Sequence, residues 1–90
     1  MERKHMIIKG HVQGVGFRGF TQSAASDIGV TGWVRNDNNG TVEIEAQADP
    51  DRLERFLRIM RQGSSWSHIQ EVKVNTLHVR EDEHEFRVFY

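Results

Sequence analysis

Residues 30–48 read VTGWVRNDNNGTVEIEAQA, and the folding of this stretch decides the architecture. Val30 to Asn36 alternates, with Val30 and Val34 on one face and Trp33 on the other, so it reads as a strand. Asn38-Asn39-Gly40 is a turn signal, because Asn and Gly tolerate positive φ. Thr41 to Ala48 alternates again. Val42, Ile44, Ala46 and Ala48 point one way, and Glu43, Glu45 and Gln47 the other. The stretch is a β-hairpin that turns straight back on itself.

That hairpin settles the meaning of Gly14-Val15-Gly16-Phe17-Arg18-Gly19 upstream, a literal G-x-G-x-x-G. Read alone, the string suggests a dinucleotide-binding turn, and Asp37 stands about 20 residues on, where a ribose-binding acid would be. A dinucleotide fold needs a helical crossover after its second strand, and two βαβαβ halves. A chain of 90 residues has no room for them, and its second strand leads into a hairpin. Asp37 is then a turn residue. The glycines are not a P-loop either, since no Lys-Ser or Lys-Thr pair follows them.

Outward from these two stretches, His5 to Val12 alternates as a first strand, with Met6, Ile8, Gly10 and Val12 on one face. Phe17, Phe20, Ala24 and Ile28 recur at helical spacing, and Gly29 closes that helix. A second helix follows the hairpin. Asp49 is its N-cap, Pro50 its first residue, and Leu53, Phe56, Leu57 and Met60 its apolar stripe, with Gly63 at the end. Ile69 to Val79 is strand-like but slips phase between Val74 and Leu77, which suggests a bulge near Asn75. Arg80 to Glu85 reads as a charged turn and Phe86 to Tyr90 as a short last strand. The order β-α-β-β-α-β with an extra C-terminal strand predicts an α+β, ferredoxin-like fold. Its sheet is mostly antiparallel, with two helices on one face, and it forms one domain over residues 1–90.

Composition narrows the function. The formal net charge is -1, which gives no reason to expect nucleic acid or an anionic membrane as partner. There is no cysteine, so disulfides, thiolate chemistry and Cys-ligated zinc are excluded together. No apolar run has signal-peptide or membrane-spanning length, and a cytoplasmic location is expected. The histidines at 5, 11, 68, 78 and 84 show no metal-ligand spacing. His11 leads into the glycine loop and reads as an exposed strand residue. Arg52, Arg55, Arg58 and Arg61 drift around the second helix with Asp51 and Glu54 among them, as a solvated face does. Arg18-Gly19-Phe20 is shared with RNA-recognition motifs. There, however, the aromatics stand on a central strand, which here offers Val, Glu, Ile, Glu and Ala.

The glycine cluster remains as a loop between a strand and a helix N-terminus. Several N–H groups there can converge on an anion beside the positive end of the helix. Arg18 adds a planar cationic fork suited to phosphate oxygens; a solvent-pointing arginine on a tight turn is the alternative. In this topology the first and second strands run parallel, so their C-terminal ends meet on one edge. The loop and Asn36 converge there. On topology alone Asn36 serves equally as a site residue or as the start of the turn.

Gly10 to Arg18 (GHVQGVGFR), Gly32 to Asn36 (GWVRN) and Gly40 to Gln47 (GTVEIEAQ) together resemble the acylphosphatase family. The likeness extends to the GSSWS loop from Gly63 and the FRVFY ending. The resemblance implies a small ferredoxin-like enzyme that hydrolyses acyl phosphates to carboxylate and inorganic phosphate, with no metal and no cofactor. It places the phosphate-binding arginine at Arg18 and the catalytic asparagine at Asn36. The backbone of Gln13, Gly14, Val15, Gly16 and Phe17 would complete the phosphate loop with Arg18. It implies a small-molecule acyl phosphate as partner, no nucleic acid, no membrane, and a monomer. Two positions depart from the family: His11, where arginine is frequent, and Gly19, where a larger, often aromatic residue is common. Such domains also occur within larger carbamoyl-transferring maturation proteins, so a non-catalytic phosphate-binding module is the rival; a chain spanning only this domain favours a stand-alone enzyme.

Overall fold

A computed structural model describes all 90 residues. Five strands and two helices follow in the order β1 (Glu2–His11), α1 (Phe17–Ile28), β2 (Thr31–Asn36), β3 (Val42–Ala48), α2 (Pro50–Gln62), β4 (His68–Leu77) and β5 (Phe86–Phe89). The sheet order is β4-β1-β3-β2-β5. Every pairing is antiparallel except β2 with β5. Since β3 lies antiparallel between β1 and β2, those two strands are parallel, and the expected ferredoxin-like fold is present.

Both helices pack on one face of the sheet. Met6, Ile8, Val34, Val42, Ile44 and Ala46 from that face are fully buried with Phe17, Ala25, Leu53, Phe56 and Met60 from the helices. The second helix starts as its sequence dictates. The Asp49 carboxylate accepts the Arg52 N–H at 3.0 Å, and Pro50 follows at the first helical position. Asp49→Ala is expected to cost about 1 kcal/mol, read as a fall in Tm of roughly 4–8 °C. In α1 the stripe is shifted from the expected one. Thr21 and Ala25 are buried along with Phe17 and Ile28, while Phe20 and Ala24 pack only in part. Thr21 is tolerated because its hydroxyl donates to the Phe17 carbonyl at 2.9 Å.

The bulge is not near Asn75. That residue pairs regularly with His5, and the register shifts where Lys9 faces Glu71 but Gly10 faces Ile69, which leaves Gln70 as the extra residue. Leu77 and Val79 look out of phase because both are exposed. Leu77, opposite Arg3, ends the strand, and Val79 lies beyond it.

Arg3 is buried on the face without helices. Its Nε donates to Glu45 at 2.8 Å, and its Nη1 to Gln47 at 3.1 Å and Glu83 at 2.8 Å. Gln47 in turn exchanges bonds with the Arg80 backbone. The charged turn expected at Arg80 to Glu85 is thus fastened to the sheet. Burial alone would raise the Glu83 carboxyl; hydrogen bonds and charge from Arg3 outweigh that and hold it below its ordinary 4.5. A carboxyl lowered in the folded state contributes stability above its unfolded pKa and loses it as pH falls through the folded value. Thermal melts from about pH 6 to about pH 3 should therefore show a steeper fall in Tm for the wild type than for Glu83→Gln.

Candidate active site

Because β1 and β2 are parallel, their C-terminal ends share an edge of the sheet. Residues 13–16 leave β1 there. Gly14 and Gly16 have φ of 75° and 74°, a conformation that costs a side-chain-bearing residue about 1–2 kcal/mol. Gly16 caps α1 in this left-handed state, with no side chain bonded to the helix end. The first amide bonded back into the helix start is that of Phe20, to the Gly16 carbonyl at 3.1 Å. No amide from Gln13 to Gly19 has an acceptor within the chain. Unpaired N–H groups at the positive end of a helix form an anion cradle.

The side chains of this loop serve another end. Phe17 is buried, and Val15 packs partly against the core. The Gln13 amide donates to the carbonyls of Asp37 at 2.7 Å and Thr41 at 2.9 Å. Gln13 is therefore a strut between the loop and the β2–β3 turn, in addition to the backbone role the sequence suggested.

Asn36 closes β2 opposite Val42. Val34 faces the helices, so Asn36, two residues on, faces the same side, and Arg35 faces the other. Arg35 binds Glu43 and Asp37, and the Thr41 hydroxyl donates to Asn39 Oδ1 at 2.7 Å; together these brace the turn. Burial alone would raise the Glu43 carboxyl, but hydrogen bonds from His5 and Arg35 bring it below its ordinary value. The side-chain amide of Asn36 has no partner in the chain, and its Oδ1 is closed off from solvent. A half-turn of the amide exchanges its two ends, and a bound water would supply the missing bond.

The C-terminus completes the edge. Since β5 runs parallel to β2, with Phe89 opposite Arg35, Tyr90 arrives beside Asn36's end of the sheet. Arg18 is not left to solvent. Its Nη1 donates to the Phe89 carbonyl at 3.2 Å, and its guanidinium stacks 4.5 Å from the Tyr90 ring centre. The sequence reading missed Tyr90, although the alternation Phe86, Val88, Tyr90 already placed it on the helix side. Val12, Gly14, Gly16, Phe17, Arg18, Gly19, Asn36 and Tyr90 together line one cleft of ≈ 240 Å³.

His11 is exposed at the end of β1, facing His68 across the strand pair. The four arginines of α2 are likewise exposed. No three His, Cys, Asp or Glu side chains gather at one point, and no helix is long and apolar enough to cross a membrane.

The acylphosphatase family model matches residues 4–88. An acylphosphatase of Geobacillus kaustophilus (strain HTA426) is 41% identical over 90 residues, covering 100% of this chain and 96% of that one. The crystal structure of acylphosphatase from Bacillus subtilis superposes with a TM-score of 0.95 at 36% identity, covering both chains fully. Full-length HypF, in its phosphate- and nucleotide-bound form, contains a similar domain. Its TM-score is 0.86 at 27% identity, over 99% of this chain and 12% of that one. Fold, motifs and full-length similarity agree: the chain belongs to the acylphosphatase family, enzymes that hydrolyse acyl phosphates.

Proposed function

We propose that this chain hydrolyses acyl phosphates through Arg18, the amides from Gln13 to Arg18, and Asn36. One observation carries the reading: unpaired amides, a guanidinium and an unpaired side-chain amide line a single cleft. The amides and Arg18 would hold the phosphate oxygens. Asn36 would hold a water in line with the bond to the acyl oxygen. The water oxygen bonds to phosphorus, and the phosphorus–acyl oxygen bond breaks with its electron pair leaving on the carboxylate. The proton passes to a phosphate oxygen, since an amide does not accept it at neutral pH. A carboxylate is already a good leaving group, so positioning and charge stabilisation carry the rate, as in other phosphoryl transfers. No step calls on a metal or cofactor.

The proposed unit is the whole chain, a cytoplasmic monomer acting on a small acyl phosphate. Lys73 and Glu71 on the exposed edge strand β4, with the bulge at Gln70, discourage pairing between copies. The test is benzoyl phosphate hydrolysis in the presence of a chelator, alongside an NMR titration with inorganic phosphate. Chelator-insensitive turnover is expected, with amide shifts concentrated between Gln13 and Gly19. Phosphate shifts at those amides without turnover would instead describe a binding module.

A further inference from the structure

His11 and His68 have no metal-ligand spacing along the chain, yet they face each other where β1 meets β4. The bulge at Gln70 makes that pair. Lys9 faces Glu71, so an unbroken register would set Gly10 against Gln70 and His11 against Ile69. A slip of one residue exchanges the two faces of a strand. Ile69 thereby packs against the core, and His68 comes to the helix-free side, with His11. Gly10 lets the strands close on this geometry. Its φ is 139°, and a Cβ there would stand 2.0 Å from the His68 carbonyl oxygen. The glycine thus sets the backbone of one histidine against the strand that carries the other.

Side chains directly opposite in an antiparallel pair share a face, with Cβ atoms about 4.5–5.5 Å apart. Two imidazoles so placed can each turn one nitrogen toward a common point. Both are exposed. Of the five histidines only His5 has a bonded partner, the Glu43 carboxylate, so the nitrogens of His11 and His68 are free to bind. Neutral imidazole suits zinc, copper and nickel. The next pair on the same face, Lys9 with Glu71, is closed on itself at 3.7 Å. No third His, Cys, Asp or Glu joins the two histidines, so water would fill the other positions. We propose that His11 and His68 form a two-histidine clip for a divalent transition-metal ion. The ion takes no part in the hydrolysis. The glycine loop follows β1, and the loop after α2 leads into β4. The clip therefore ties the start of β4 to the strand that carries the phosphate cradle.

The experiment titrates metal-stripped protein with Zn²⁺ by calorimetry and follows the imidazole signals of all five histidines by NMR. One ion per chain is expected, with shifts concentrated at His11 and His68 and little change at His5, His78 and His84. A ligand that binds the folded chain alone raises its stability, so saturating Zn²⁺ should raise Tm by roughly 4 °C or more. His11→Gln and His68→Gln change exposed residues, and both should fold. Each should weaken Zn²⁺ binding by at least about tenfold, the scale on which even residues that only orient a metal ligand act. No heat of binding, shifts spread over all five histidines, or wild-type affinity in either variant would overturn the clip. None of these readouts uses turnover, so the clip and the hydrolase reading stand or fall separately.

Discussion

Arg18→Ala is expected to lower kcat/KM for acyl phosphates by roughly 10³-fold or more, the scale on which a lone arginine acts in phosphoryl transfer. Both constants should suffer. The guanidinium is the one cationic side chain lining the cleft, so the ground-state phosphate loses its fork, and the transition state loses more as charge spreads over the oxygens. Stability should barely change. The contacts given up, to the Phe89 carbonyl and the Tyr90 ring, are at the surface, where substitutions usually stay within about 0.5 kcal/mol. Arg18→Lys keeps the charge without the planar fork and should recover only part of the loss. Steady-state kinetics on variants with matched Tm decide the matter. Near-wild-type kcat/KM in Arg18→Ala would remove this residue from the mechanism.

Asn36→Ala should behave differently. A fall in kcat of about 10²–10³-fold is expected, the effect of losing one preorganised hydrogen-bonding group, with KM much less altered because the phosphate donors remain. The variant should melt close to the wild type, because Asn36 Oδ1 gives up no hydrogen bond within the chain. An Asn36→Ala enzyme that keeps its kcat, or one that loses activity only because it unfolds, would contradict the proposed role.

Much of this was legible from local pattern. The hairpin from 30 to 48, the Asp49-Pro50 helix start and the span of α1 from Phe17 to Ile28 rest on periodicity and capping, which act over a few residues. The convergence of Arg18 and Asn36 on one edge followed from topology alone. What escaped depended on partners distant in sequence. Arg3 precedes the strand read from His5, yet it lies within β1 and is buried against Glu83, 80 positions away. Gln70 became the bulge because of how β4 meets β1, which β4's own pattern does not encode. Thr21 reads as polar and is buried because a carbonyl one turn back accepts a hydrogen bond from its hydroxyl. The strut from Gln13 to the Asp37 and Thr41 carbonyls and the stacking of Tyr90 on Arg18 belong to the same class.

The position of β1 has a kinetic consequence. It lies between β3 and β4, with Arg3 opposite both Gln47 and Leu77. The sheet therefore cannot close until the strand that carries Leu77 is available, and the loop entropy of joining such remote segments must be met before their contacts form. Folding should accordingly run in milliseconds to seconds, with helix α1 and the β2–β3 hairpin able to form early as local units. The glycine loop and Asn36 are thus made well before β5, and Arg18 meets the Phe89 carbonyl only once that strand has docked.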